Sequence, residues 1–249
     1  EPHDNPFFLY LAYNAPHSPL QAPRENVVKY HDTYRAGWDR IRRQRHRRMM
    51  EMDLLKNDWD LAPRPDHIPA WDSLSDEDKD WEARRMAAYA GMIDRVDQNI
   101  GRLVSYLKKR GEYDNTLFML LSDNGASPFQ RTRDRSGPPW KADTMWWQGT
   151  SWANASNTPF RWYKQNQHEG GISTPLIVRW PGGGVEPGSV THQPGHLIDI
   201  MPTAVDVSGG TYPETHEGHD VAPCQGRSLL PILRGQRREG HDTLFFQFA

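Results

Sequence analysis

Cysteine is all but absent. Cys224 stands alone among 249 residues, which excludes an internal disulfide and any cysteine-rich zinc module. It leaves the compartment open, since a chain without disulfides folds in either redox setting. Long apolar runs are missing too, and nothing approaches the ~20 residues that a helix needs to span a bilayer. Neither sign of charge dominates. Thirty Lys+Arg against thirty-two Asp+Glu leave a formal charge of −2, which argues against a chain-wide polycation for nucleic acid and against an acidic tail protein. Apolar residues are also scarce, at 36%, where ~45–50% is usual. What is present offsets this: ten Trp, nine Tyr and eight Phe supply bulky core material. Twenty Gly and twenty Pro suit a loop-rich enzyme better than a helical bundle.

Apolar spacing divides the chain into elements. Pro6–Tyr13 is an apolar run closed by Asn14 and Pro16, and it predicts a buried strand. From Tyr34 to Leu55 the period turns helical, with Trp38, Ile41, Met49 and Met52 near one face. Leu61–Asp72 is Pro-rich and reads as an irregular connection. Ser75 with Asp78 forms a capping pattern. A long helical period through Met86, Ile93, Ile100 and Leu107 follows, stopped by Gly111. Thr116–Leu121 and Pro175–Trp180 are apolar on both faces, as in a covered parallel sheet, and Leu197–Val207 reads as a short helix. Alternation of such strands with helices predicts an α/β fold. Residues 127–157 show no period, and loops of that length within compact domains are often functional.

Chemistry-bearing residues gather at the carboxyl ends of these strands, where α/β enzymes place their sites. The first strand runs into Asn14-Ala15-Pro16-His17-Ser18-Pro19-Leu20, and the second into Ser122-Asp123-Asn124-Gly125. Asp123 and Asn124 offer adjacent hard oxygen donors suited to Ca²⁺ or Mg²⁺; a strand-to-turn cap uses the same residue types. Lys164 and His168, four apart, would share one face of a helical turn and place two donors near an anion. The following Gly170-Gly171 allows close backbone approach.

Several segments together resemble the sulfatase family, in the family's order. They are Pro6–Leu20, Ser122–Gly125, Asn157–Lys164 with His168–Gly171, His196–Thr203, and Gly226–Pro231. The resemblance implies an alkaline-phosphatase-like fold, a mostly parallel sheet flanked by helices, and hydrolysis of sulfate esters. It implies that Asp123 and Asn124 bind a metal, usually calcium with magnesium the alternative, and that Lys164 holds a sulfate oxygen. His17 would contact the sulfate and the leaving oxygen as a proton donor. His168 stands either as a substrate contact or as a supporting residue, since the family does not always place histidine there. A sulfate ester is the implied partner, with a sulfated carbohydrate suggested only by the tryptophans of residues 140–152; a periplasmic or secreted setting is the implied location.

The family's nucleophile, a formylglycine made in a Cys/Ser-x-Pro-x-Arg motif, has no counterpart in these residues. Asn157-Thr158-Pro159-Phe160-Arg161 has the proline and arginine in place, but asparagine cannot undergo that oxidation. The family's adjacent Asp-Asp pair is missing as well. Both belong upstream of Glu1, so the resemblance implies a single catalytic domain over residues 1–249 that is incomplete at both ends, with 235–249 opening a carboxyl-terminal subdomain. Without the nucleophile these residues alone are expected to be inactive.

Other readings compete. A phosphate mono- or diesterase of the same superfamily would share the metal-site architecture. Six arginines between Arg40 and Arg48 form either a solvated helix face or a surface for an acidic polymer. His192 and His196 have the i, i+4 spacing of zinc ligands, but Pro194 and Gly195 interrupt a helix there. Trp140, Trp146, Trp147 and Trp152 would serve a sugar ring or a core equally well.

Overall fold

The computed structural model describes residues 5–55, 59–132 and 134–247. Glu1, and the last two residues of the expected carboxyl-terminal subdomain, lie outside them. The chain forms two compact units: residues up to Gly111 with Asn124–Thr174, and Glu112–Asp123 with Pro175–Gln247.

The first unit is helical. Helix α1 (Arg24–Tyr34) and helix α2 (Trp38–Glu51) precede α3 (Asp76–Arg110), the long helix that the sequence period predicts. Its start is the expected cap: the Asp78 N–H donates to Ser75 Oγ at 3.1 Å. Its end is Gly111, at φ +71°, a left-handed position that costs glycine nothing. Ala83, Ala87 and Ala88 on α3 are fully buried. Such small side chains let α1 approach closely, and its Val27 joins Leu20, Met92 and Trp146 in one core.

A second core is built of tryptophan. Trp38 meets Trp71 at 4.8 Å and Trp152 at 5.5 Å, both edge to face, each such pair contributing about 1 kcal/mol beyond its area. Buried indole N–H groups need acceptors, and Trp38 and Trp152 find them in the carbonyls of Pro69 and Glu82. Trp152 sits on α4 (Gly149–Ser156), a helix within the stretch that lacks a sequence period. Eight residues are two turns, too few for a period to emerge. The unit closes with α5 (Glu169–Ile172).

The second unit carries the strands. β1 (Phe118–Leu121) pairs antiparallel with β2 (Leu176–Arg179), in the register Phe118↔Arg179 to Leu121↔Leu176. A parallel pairing was expected from strands apolar on both faces. The apolar pattern reports burial potential and not strand direction, and among the described residues Leu120 and Ile177 stay 46% and 62% exposed. Pro6–Tyr13, expected as a buried strand, forms no strand there; Phe8 and Tyr10 are 75% and 82% exposed. An extended segment becomes a strand only when a neighbour supplies the ladder, and none of the described residues does so.

A 3-10 turn (Leu197–Asp199) leads into α6 (Ile200–Ser208), with Pro202 in the first turn, where its missing N–H costs little. A small hairpin of β3 (Thr215–His216) and β4 (His219–Asp220) and the short α7 (Leu230–Leu233) follow. Asp199 fastens this unit. Its fully buried carboxylate accepts from the N–H groups of His196 and Arg227 at 2.9 and 2.8 Å, and from Arg238 and His241 at 2.7 Å each. Burial pushes its pKa up, but these four donors outweigh burial and hold it at about 2 against 3.8.

A carboxylate held below its unfolded pKa contributes stability above that pKa and loses it as pH falls through the folded value. Asp199→Asn is therefore expected to lower stability by about 2 kcal/mol at pH 7. The gap to wild type should narrow between pH 4 and pH 2. Urea midpoints of both proteins across that range test this; a gap independent of pH would show that charge is not what Asp199 contributes.

Candidate active site

Three backbone segments of the first unit meet at the turn that follows β1. The Gly125 N–H donates to the Gly171 carbonyl at 3.0 Å, and the Lys164 N–H to the Ala126 carbonyl at 3.1 Å. Asn157 ties them together. Its Oδ1 accepts from the Ala126 N–H at 2.9 Å, and its Nδ2 donates to the Trp162 carbonyl at 3.0 Å. The asparagine that cannot serve as nucleophile is thus a clamp between the turn and the lysine segment. Its signal in the sequence was the Asn-Thr-Pro that ends α4, a turn pattern and not a catalytic one.

Lys164 and His168 do not share a helical turn. Residues 161–168 form an irregular loop in which Trp162 and Gln165 take φ of +66° and +73°. Left-handed backbone at residues with a Cβ costs on the order of 1 kcal/mol each and persists only where surrounding contacts enforce it. Here the enforcement is visible. Gly170 and Gly171 pack so tightly on the loop that an added Cβ would fall 2.1 Å from the Trp162 carbonyl oxygen and 1.9 Å from that of Asn166. The expected close approach at the Gly-Gly pair is present, against this same loop.

Lys164 is half-buried, and among the described residues its ammonium has no hydrogen-bond or ion-pair partner. Tyr163 beside it is buried; desolvation raises its phenol, so the hydroxyl stays protonated, 2.7 Å from His67 Nε2. His168 is exposed, with its ring 6.1 Å from that of Trp162. His17 is exposed on its own loop, and its Nδ1 lies 2.8 Å from the Ser18 carbonyl oxygen. A carbonyl only accepts, so Nδ1 carries the proton and Nε2 is the atom left for chemistry. The described residues show no hydrogen bond between His17 and the other candidates.

Asp123 ends the second unit's first segment and is exposed; Asn124 opens the first unit's second segment, half-buried, its Nδ2 donating to the Gly125 carbonyl at 2.9 Å. Among the described residues no group of three or more His, Cys, Asp or Glu side chains is placed to hold a metal. His196 is spent otherwise, its Nδ1 accepting from the Ile198 N–H as the cap of the 3-10 turn. Of the four tryptophans weighed for a sugar ring, Trp146 and Trp152 are core residues at 3% and 0% exposure, and Trp147 is half-buried. Of the α2 arginines, Arg42 is buried on the Ala62 carbonyl and Arg45 donates to the Thr158 carbonyl; Arg40, Arg43, Arg47 and Arg48 face solvent.

The sequence pattern of the sulfatase family matches residues 1–210, and the chain belongs to that family. Its fold is accordingly the alkaline-phosphatase-like one, here a mixed helix-and-sheet part of it. Among curated relatives, an uncharacterized sulfatase of Schizosaccharomyces pombe is 34% identical over 90% of this chain and 43% of its own length. An arylsulfatase of Klebsiella aerogenes is 32% identical over 95% of this chain and 53% of its own. A solved structure of a protein with its substrate D-glucosamine-2-N,6-O-disulfate overlays with a TM-score of 0.45 and 25% identity, over 69% of this chain and 27% of that one. The chain spans about half the length of the curated relatives it matches.

Proposed function

We propose that the polypeptide to which this chain belongs hydrolyses sulfuric esters of the arylsulfatase type. One observation carries the reading: within a chain of the sulfatase family, the Lys164 loop is locked in strained backbone against the turn that follows Asp123-Asn124, with the lysine left unpaired. A preorganised cation aimed at developing negative charge is the commonest large contribution to catalysis. Lys164 offsets charge on the sulfuryl oxygens. As the imidazolium, His17 gives its Nε2 proton to the departing oxygen while Nδ1 stays on the Ser18 carbonyl. His168 supports the substrate side of the loop.

Asp123 and Asn124 fit a hard cation by donor chemistry, a carboxylate and an amide whose nitrogen is already engaged with the Gly125 carbonyl. They supply two of the ~6–8 oxygens that calcium takes, so further ligands come from elsewhere in the polypeptide, as does the formylglycine nucleophile. The cation, Ca²⁺ or Mg²⁺, would add positive charge where the sulfuryl oxygens sit.

Relative turnover of an aryl sulfate and the matching aryl phosphate tests the reading. The sulfate is expected to be the better substrate at neutral pH. The reverse order would assign the site to phosphate esters, for which the same superfamily architecture serves.

A further inference from the structure

His67 is distant in sequence from every residue assigned above. It lies in the Pro-rich connection between α2 and α3, a stretch that the sequence marks only as irregular. The structure brings it to the lysine loop. Its Nε2 is 2.7 Å from the Tyr163 hydroxyl, and its ring lies over that of Trp162 at 6.0 Å between centroids and 16° between planes. Trp162 in turn meets Tyr163 edge to face at 5.7 Å and His168 at 6.1 Å. One side chain therefore holds both residues that precede Lys164, one by a hydrogen bond and the other by stacking.

That double hold falls where the backbone needs it. Trp162 is one of the two left-handed residues of the loop, and it reverts to ordinary geometry unless its ring and its neighbours are fixed. The backbone side of Trp162 is fixed by Asn157 and Gly170, through its carbonyl oxygen. The side-chain side is fixed by His67. The segment carrying His67 is itself anchored, since the next residue, Ile68, is 1% exposed in the tryptophan core and its N–H donates to the Pro65 carbonyl at 2.9 Å. The core thus reaches the catalytic loop through one exposed imidazole.

We infer that His67 is a positioning residue for Lys164, holding Trp162 and Tyr163 so that the lysine meets the sulfuryl group in one orientation. The inference rests on the sulfatase reading for its kinetic consequence but not for its geometry. Positioning of this kind acts on the rate more than on ground-state binding, because misplacement by about 1 Å costs on the order of 100-fold when orientation is at stake.

The test compares His67→Ala, His67→Gln, Tyr163→Phe and the His67→Ala/Tyr163→Phe pair in the full polypeptide, with an aryl sulfate as probe. His67→Ala is expected to lower kcat roughly 10-fold to 100-fold with KM changed less than threefold. His67→Gln, whose amide can still reach the phenol, should recover most of that loss. Tyr163→Phe should cost part of it, and the double variant should be no worse than His67→Ala alone. Hydrogen exchange of peptides covering residues 161–171 gives a readout independent of turnover, and it should speed up in His67→Ala but not in His67→Gln. Unchanged kcat, a glutamine variant as poor as alanine, strictly additive losses, or unchanged exchange would each overturn the inference. A wild-type protein without sulfatase turnover but with faster exchange in His67→Ala would sink the sulfatase reading and keep the positioning role. Should His67→Ala fail to fold, Tyr163→Phe and His67→Gln decide between the outcomes through the same two measurements.

Discussion

Lys164→Ala in the full polypeptide is expected to lower kcat for an aryl sulfate by ~30- to 1000-fold, a loss of about 2–4 kcal/mol of transition-state stabilisation. The loss should appear in kcat and kcat/KM together, the signature of an interaction made in the transition state and not in the ground state. Stability should hardly change: the ammonium has no partner among the described residues, so its removal orphans nothing there. Thermal melting of the variant alongside the kinetics separates a chemical loss from a folding one. His17→Ala is expected to cost a similar amount for a different reason. Its Nδ1 is committed to the Ser18 carbonyl, so Nε2 alone exchanges protons. With Nε2 as the donor to the leaving oxygen, the alanine variant suffers least with esters of acidic phenols, whose departure needs no proton. Unchanged kcat in either variant would remove that residue from the mechanism.

How much of this was legible beforehand follows from what local sequence encodes. Ser75, Asp78 and Gly111 marked both ends of α3 because capping is a property of adjacent residues. The antiparallel partnership of β1 and β2 was not marked, because an apolar strand looks the same whichever way its neighbour runs. Lys164 could be named from its segment, yet its loop was misread as helical, since a four-residue spacing says nothing of Gln165 in the left-handed region. Asn157 and His67 were missed as functional supports for a common reason. Each acts through a partner that only the fold brings near, Ala126 for the one and Tyr163, 96 residues on, for the other. The tryptophans of residues 140–152 divide between core and surface by tertiary packing, which composition cannot express.

Gly125→Ala is expected to be among the most disruptive single-methyl changes in the chain. The difficulty is space: an ideal Cβ there would lie 1.7 Å from the Gly170 carbonyl oxygen and 2.8 Å from its carbon. Both are backbone atoms, so no rotamer change relieves the overlap, and the turn must part from the Lys164 loop. Parting breaks the Gly125–Gly171 and Lys164–Ala126 hydrogen bonds and strains the Asn157 clamp. Overpacking of this kind costs about 3 kcal/mol, and each buried bond left open adds about 1 kcal/mol. The same chemical change at Gly101 makes the control. That glycine is an exposed position of α3 with nothing within 4 Å of an added Cβ, so alanine should stabilise by ~0.5–1 kcal/mol through helix propensity. Urea midpoints at constant slope should therefore move in opposite directions for the two variants. Turnover should fall with Gly125→Ala and stay unchanged with Gly101→Ala, because only the first displaces the backbone that carries Lys164. A Gly125→Ala protein as stable and as active as wild type would mean that the turn and the lysine loop are not packed against each other, and the construction of the site argued from that contact would be wrong.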